Sequence, residues 1–215
     1  MAGVALFPES FTVAPSSIFV GIVSTKLGRY RWAIWSGWAL STLGLGLMCL
    51  ITPDSSVAVW VITNLVAGLG LGFLFPSLAF AVQASASPRT LSIAVAMFSF
   101  FRAMGQAVGV AIGGVIFQNR MFHNLLAYPA LAPLAAEYSR DAAGLVQVIR
   151  RMSDGPEKRD LQVAYTDSLR VVWAVCCGIC GVAFLMSLWT KKYDLDRAME
   201  SSQGLRVGEG VGDEK

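Results

Sequence analysis

The chain has 215 residues, of which 55% are hydrophobic and 14% are charged, and its formal net charge is +3. A soluble domain normally carries about a quarter of charged residues, and here the shortfall falls in long uncharged blocks. This pattern excludes an ordinary soluble domain. A small net charge without a basic, aromatic-rich patch also excludes a nucleic-acid-binding protein.

Five apolar segments are long enough to cross a bilayer, whose core of about 30 Å needs roughly 20 apolar residues as a helix. The first predicted span carries Glu9 as its one charge and is punctuated by Pro8 and Pro15. The second and third are separated by the turn sequence Thr52–Ser55. The sequence predicts spans over about 3–25, 32–51, 57–83, 91–117 and 171–189.

Two polar stretches complete the chain, an outer loop at 119–169 and a tail at 191–215. In the loop, Leu145, Val148 and Ile149 share one helical face, which predicts an amphipathic helix on the membrane or over a pore mouth. Pro156 is a good first-turn proline, and the helix that it starts could run directly into the last span. The polar, glycine-rich tail is predicted to be a disordered cytoplasmic end.

Basic residues in short loops indicate the orientation, because they favour the cytoplasmic side. The hairpin at 26–31, the loop at Arg89 and the exit at Lys191 are basic, whereas the turn between the second and third spans has only Asp54. We therefore expect the hairpin and the tail inside, and Met1 and residues 119–169 outside.

The hairpin GIVSTKLGRYR places three basic residues around a pair of glycines, Gly21 and Gly28. Glycine permits a sharp turn and a close helix approach. The cations, Lys26, Arg29 and Arg31, can bond the carbonyl groups at a helix C-terminus or acidic partners across a moving interface. We interpret the hairpin as a functional loop at the membrane surface.

This hairpin resembles the cytoplasmic loop motif of the major facilitator superfamily, G-x-L-a-D-r-x-G-r-k, with Thr25 in place of the acidic residue, as in a degenerate second copy. The runs 68–76, 81–84 and 101–114, together with Pro8 and Pro15, are similar to the C-terminal part of the fourteen-span drug:proton antiporter branch, especially fungal multidrug and toxin efflux pumps. The resemblance implies an all-α, polytopic membrane protein with five transmembrane helices. It would be a partial major facilitator fold over 1–190, a C-terminal half-domain lacking its first helix.

The same resemblance implies secondary active efflux of a drug, toxin or secondary metabolite, coupled to protons by alternating access of two half-domains. The expected partners are the lipid bilayer, a small organic substrate, protons and a missing N-terminal half, without which the fragment would be inactive. No cofactor is expected, and the plasma membrane is the favoured location, with a vacuolar or other internal membrane as the alternative.

Two further functions are considered beside efflux. A transport-inactive membrane scaffold or regulatory subunit would keep the fold without the activity. An intramembrane enzyme would need clustered His, Asp, Cys or Ser residues within the spans, and these supply Arg102 and Glu9 without such a cluster. We therefore predict that the chain is not an enzyme.

Four polar residues within the spans are candidates for a transport cavity: Arg102, Gln106, Asn64 and Glu9. Arg102 lies about 18 Å along its predicted helix at 1.5 Å per residue, and a charge at that depth usually marks a pathway or an ion pair. Gln106 follows one turn later on the same face. For Glu9, a position at the outer membrane interface is the alternative.

Small residues recur within two of the predicted spans. Gly105, Gly109 and Gly113 follow each other at i+4 and predict a face for tight helix packing or for helix rocking. Gly68, Gly70 and Gly72 form a second set. The four cysteines, Cys49, Cys176, Cys177 and Cys180, lie in apolar runs and are predicted to pack rather than to bind metal.

Overall fold

The structure is a computed structural model that describes residues 7–87 and 89–190, and these residues form helices joined by short turns. The helices are α1 at Phe7–Leu27, α2 at Arg31–Met48, α3 at Val57–Ser85 and α4 at Leu91–Leu126. A 3-10 turn at Ala132–Leu134 leads into the short α5 at Ala135–Tyr138, and then follow α6 at Ala142–Arg151 and α7 at Pro156–Leu188. The predicted all-α architecture therefore holds for the described residues. Met1 and the predicted tail at 191–215 lie outside them.

Four helices are long and apolar enough to cross a membrane: Glu9–Leu27 within α1, and α3, α4 and α7. The helix α2 is not among them, since its 18 residues begin with Arg31 and include tryptophan, serine, threonine and glycine, which lower its hydropathy. The chain is thus a multi-pass membrane protein with four candidate spans among the described residues. The fifth predicted span stays a prediction.

The predicted outer loop at 119–169 is mostly helical, because two helices extend into it. The helix α4 continues past the predicted end at 117 to Leu126, and the helix that begins at Pro156 runs directly into the last predicted span, as the sequence analysis allowed. Their extensions pack on each other: the rings of Phe117 and Tyr165 meet edge to face at 5.1 Å between centroids, and Asn124 Nδ2 donates to Ser168 Oγ at 3.0 Å. Buried packing of this kind offsets the cost of ordering a stretch that is polar in sequence.

The helix α6 covers this pair of extensions. Leu145 is 2% exposed within a core cluster that includes Met121 and Leu161, and Val148 and Ile149 pack against the same cluster. The three residues share a face, as their spacing predicts. That face is used inside the protein, however, and not on the membrane surface. After α6, a hydrogen bond and ion pair from Lys158 at 2.7 Å lowers the pKa of Asp154 below its usual range.

The helix α3 lies between α1 and α2, whereas α7 lies between α2 and α4, and α4 touches α3 more lightly. Glycines make the closest approaches possible. A Cβ added to Gly44 would lie 2.7 Å from the Ala67 backbone on α3, and one added to Gly68 would lie 2.9 Å from the Glu9 carbonyl oxygen on α1. Because α3 and α4 are in light contact, a space remains between α4 and the rest of the bundle.

Candidate functional site

A cavity of 530 Å³ occupies this space, and we call it the central cavity. Residues from α1, α2, α3, α4 and α7 line it: Glu9, Trp38, Ser41, Leu45, Ala67, Leu71, Leu74, Phe75, Leu78, Phe98, Phe101, Arg102 and Cys180. Apolar and aromatic groups make up most of this wall. A volume of this size lies within the range of small-molecule sites, which are mostly apolar with a few placed polar groups.

Arg102 supplies a charge to the central cavity. Its Cζ atom lies 3.7 Å from the ring centroid of Phe75 on α3, a cation–π contact that contributes on the order of 0.5–2 kcal/mol. Within the described residues the ion pairs are Lys158–Asp154 and Arg159–Asp54, so Arg102 has no carboxylate partner there. The Phe75 ring contacts the face of the guanidinium, so the N–H groups at its edge stay available for other acceptors.

Glu9 is half-buried in the first turn of α1. Its backbone contacts α3 at Gly68, which is 11 positions after Val57 and therefore about 16 Å along the helix. The alternative position of Glu9 at the outer membrane interface stays a prediction. The helices α1 and α3 run in the same direction, since Glu9 lies beside Gly68 whereas Val13 and Ser16 lie beside Gly72. The described part of α1 therefore begins beside the middle of α3.

A second cavity of 220 Å³, the outer cavity, lies toward the end of the bundle that carries Asp54. Its lining comprises Glu9, Met48, Ile51, Trp60, Asn64, Thr166, Leu169, Arg170 and Trp173. Asn64 is 4% exposed, and its Nδ2 donates to the Trp60 carbonyl oxygen at 2.8 Å. Arg170 Nε donates to the Cys49 carbonyl oxygen at 2.6 Å, which joins the end of α2 to α7 at this level.

The candidate residues therefore divide between two spaces. Arg102 and Glu9 line the central cavity, whereas Asn64 lines the outer cavity, which Glu9 also reaches. Gln106 lines neither of the two and is exposed. It lies one turn after Arg102 on α4, as predicted, but it does not line the central cavity with Arg102.

The sequence analysis did not identify the aromatic side chains that line the central cavity, or the charge that Arg170 brings to the outer cavity. Trp38, Phe75 and Phe101 read as ordinary apolar residues within spans, since nothing in a single helix shows which side faces a cavity. Arg170 stands between the predicted loop at 119–169 and the predicted span at 171–189, and it was not identified as a candidate. It would have been noticed had the continuous helix from Pro156 been taken as the span.

The two sets of glycines differ in their surroundings. Gly68 and Gly72 lie against α1, and Gly70 lies against Ser41 of α2, so each contact would be blocked by a Cβ. Gly105 and Gly109 have nothing within 4 Å, and Gly113 would place a Cβ 3.8 Å from Val172. The tight packing predicted for Gly105, Gly109 and Gly113 therefore remains a prediction, and it would need a partner surface outside the described residues.

The hairpin between α1 and α2 combines a left-handed glycine turn with buried polar atoms. Gly28 has φ 63°, a left-handed conformation that favours glycine after a helix end. Arg31 stacks on Trp35, with Cζ 4.7 Å from the ring centroid. The Nε of Arg31 and the hydroxyls of Ser24 and Tyr30 are buried without a hydrogen-bond partner within the described residues.

The other motif residues are less constrained. Lys26 lies exposed in the last turn of α1, where a cation complements the helix dipole. Arg29 is exposed, and its carbonyl oxygen accepts a hydrogen bond from Trp32 Nε1 at 3.0 Å. Gly21 has nothing within 4 Å, so the close helix approach expected there is not made within the described residues. Thr25 Oγ1 donates to the Gly21 carbonyl oxygen at 2.7 Å and contributes no charge.

The described residues contain no group of three or more His, Cys, Asp or Glu side chains that could hold a metal ion. The four cysteines are free and half-buried. Cys177 Sγ lies 3.4 Å from the Thr42 carbonyl oxygen, which places it at the packed interface of α2 and α7. This arrangement fits the predicted packing role of these residues.

A helical membrane bundle with a mid-depth apolar cavity and a single guanidinium is typical of small-molecule transporters, and the curated relatives are of that class. The chain is 51% identical over 206 residues to "MFS transporter L2" of a Phoma species, which covers 96% of this chain and 34% of the relative. It is 32% identical over 215 residues to "MFS-type transporter TwmF" of Talaromyces wortmannii, covering 98% and 39%. It is 28% identical over 211 residues to "Efflux pump FUS6" of Gibberella moniliformis, covering 95% and 37%.

No family profile matches the chain, and no solved structure is significantly similar to it. The identity to the Phoma relative extends over nearly the whole chain, so this chain is a homologue of transporters of the major facilitator superfamily, in agreement with the resemblance of its motifs. The chain spans about a third of the length of the curated relatives that it matches. These relatives are named as transporters or efflux pumps, in agreement with the prediction that the chain is not an enzyme.

Proposed function

We propose that this chain forms the C-terminal part of a proton-coupled efflux transporter for small organic compounds, with the central cavity as part of its substrate site. The observation that carries the proposal is the placement of Arg102 on Phe75 at the wall of that cavity. A buried or mid-membrane charge that faces a cavity is expensive and usually functional. The names of the relatives support efflux as the direction of transport.

In this proposal α2 is the fifth transmembrane helix. Its 18 residues extend over about 27 Å at 1.5 Å per residue, close to the thickness of a bilayer core. The contacts with α3 and α7 leave a limited part of its surface for lipid, so an apolar face on every side is unnecessary. Loops on the side of the α1–α2 hairpin face the cytoplasm, and the favoured location is the plasma membrane.

The cavity chemistry favours apolar, aromatic substrates with at least one polar group. Trp38, Phe98 and Phe101 offer ring faces and edges, which pack on aromatic ligands with about 0.5–1.5 kcal/mol beyond their area. The Ser41 hydroxyl lines the same cavity and is buried without a hydrogen-bond partner within the described residues. It is therefore free to bond a substrate or water.

A grafted transporter tests this proposal. Residues 7–190 replace the matching segment of the Phoma relative, and efflux of a fluorescent aromatic dye is measured in yeast cells that lack their own drug pumps. Arg102→Ala is expected to reduce the efflux rate at least tenfold while the amount of protein in the membrane stays within twofold. Arg120→Ala, an exposed arginine near the outer end of the same helix, is the control and should leave efflux within twofold.

Two results would contradict the proposal. Equal efflux by the Arg102→Ala and Arg120→Ala proteins would remove Arg102 from the site. Loss of the Arg102→Ala protein from the membrane would make this residue a structural one, as in the ion-pair alternative considered from the sequence.

A further inference from the structure

We propose that Glu9 is the proton-binding group of the transporter and that the outer cavity is its water-filled route to the membrane side that carries Asp54. This inference rests on the proposed function and names the residue that would couple protons to efflux. Its basis is the position of Glu9, which is the lining residue that the central and outer cavities share.

The two cavities follow each other along three helices. On α3, Asn64 lines the outer cavity and Leu71 the central cavity, seven positions apart, or about 10 Å along the axis. Met48 at the end of α2 and Ile51 in the turn after it line the outer cavity, and residues of α2 nearer the hairpin line the central cavity. The helix α7 shows the same order from Arg170 to Cys180. Glu9 therefore stands at the boundary between a space that leads outward and a space deep in the bundle.

The outer cavity is suited to water. Its 220 Å³ is several times the roughly 30 Å³ that one water molecule occupies in the liquid. Polar groups line it on two helices, with Asn64 on α3 and with Thr166 and Arg170 on α7. A chain of water molecules there can carry a proton from the membrane surface to the carboxylate.

The proton step is simple. A hydronium ion in the outer cavity gives its proton to a carboxylate oxygen of Glu9, leaving water and a neutral carboxylic acid, and the reverse step returns the proton to water. Because Glu9 also lines the central cavity, protonation removes one negative charge from the wall that would hold the substrate. Proton binding and substrate binding would thereby become linked.

The charged and titratable groups that face Glu9 come from two other helices. Arg102 of α4 and Cys180 of α7 line the central cavity, and Arg170 of α7 lines the outer cavity. The residues that α2 and α3 contribute to both cavities are uncharged. Neither arginine forms an ion pair with Glu9 within the described residues, so the carboxylate is not held by a fixed partner.

The test labels Glu9 in the full chain, which is reconstituted in sealed lipid vesicles of one orientation. Dicyclohexylcarbodiimide enters lipid and reacts with protonated carboxyl groups in apolar surroundings, and mass spectrometry of the peptide that contains residue 9 measures the product. Raising the pH by two units on the Asp54 side should reduce labelling of Glu9 at least tenfold. The same change on the hairpin side should alter it less than twofold.

Two variants test the route. Asn64→Phe fills the outer cavity. After a pH change on the Asp54 side, the rate at which Glu9 labelling changes is expected to be at least tenfold lower in this variant. Gln106→Phe adds the same bulk at an exposed position that lines neither cavity and should respond as the unmodified chain does. Glu9→Gln should lose the product on this peptide, whereas Glu137→Gln, at an exposed position, should retain it.

Labelling of Glu9 that changes with the pH on the hairpin side, or that changes with the pH on neither side, would overturn the inference. This result is obtained with the unmodified chain and therefore does not depend on the folding of a variant. In the grafted transporter, Glu9→Gln is expected to reduce pH-driven dye efflux at least tenfold. Unchanged pH-driven efflux by that variant would overturn the coupling role while the proposed efflux function stands. A graft that moves no dye before any substitution would contradict the efflux function, whereas the labelling experiment still reports on Glu9.

Discussion

Glycines determine how closely some helices of this bundle approach each other. Gly70 illustrates this, because a Cβ there would meet the backbone nitrogen and the hydroxyl of Ser41 on α2. Ser41 in turn lines the central cavity. The glycine thus determines how near α2 and α3 come to each other and where the cavity wall lies.

We expect Gly70→Ala to lower the unfolding free energy by about 1–3 kcal/mol, the usual cost of overpacking a tight contact. The measurement is thermal unfolding of the detergent-purified chain, followed by size-exclusion chromatography. Gly105→Ala is the matched control, since nothing lies within 4 Å of its added Cβ. There the substitution should be neutral or slightly stabilising, because alanine favours helix. Equal destabilisation by both variants would show that Gly105 is packed in a way that this chain's own contacts do not include.

Among the helices, α4 and α7 form the end of the molecule that carries Asp54, which we call the outer part. Their extensions beyond the apolar segments are held by the cluster around Met121, Leu145 and Leu161. A second tie links α7 to the turn between α2 and α3, where Arg159 lies 3.0 Å from Asp54. Both partners are exposed, so this ion pair contributes less than about 1 kcal/mol, and the apolar cluster carries the stability of the outer part.

The orientation of the helices is open to a direct test. Ser153→Cys, in the turn after α6, is expected to react with a membrane-impermeant maleimide added to intact cells, because the basic hairpin favours the opposite side of the membrane. Ser87→Cys, between α3 and α4, should react only after the cells are opened. Both positions are exposed. The unmodified chain, with its four half-buried cysteines, gives the background, and the reversed pattern would overturn the proposed orientation.

The whole molecule leaves large apolar surfaces without a partner within the described residues. In the most apolar windows of α4 and α7, 6% of the residues are buried, and α4 exposes Phe100, Met104 and Val108. Alternating access requires two half-domains that enclose a midplane site. In the proposed function, the bundle described here would supply one side of such a site.

We therefore expect the 215-residue chain, expressed alone, to form oligomers and to move no substrate. Proteoliposomes with an imposed pH gradient measure dye uptake, with empty liposomes and the grafted transporter as the two references. Small-residue faces such as Gly105–Gly113 favour self-association, which chemical cross-linking would detect. Dye uptake by the chain alone above the empty-liposome background would make it a self-sufficient transporter and would contradict this expectation.

The sequence by itself determined the class of protein. Long uncharged segments must be buried in lipid, since water cannot solvate them and a core cannot hold so many. The hairpin motif together with the ordered runs at 68–76, 81–84 and 101–114 was specific enough to indicate the family. The sequence also predicted Arg102 and Glu9 as the charges within the spans. These features are local, so that a linear chain is sufficient to reveal them.

Only the tertiary structure decided which residues share a cavity. The direction in which a side chain points depends on how helices cross, and here glycines at positions such as Gly68 and Gly70 determine the crossing between α3 and its two neighbours. This packing brought Phe75 beneath Arg102, left Gln106 outside the lining of both cavities and placed Glu9 at the boundary between them. Contacts between residues far apart in sequence leave no periodic signal within one helix, which is why the pattern alone could not supply them.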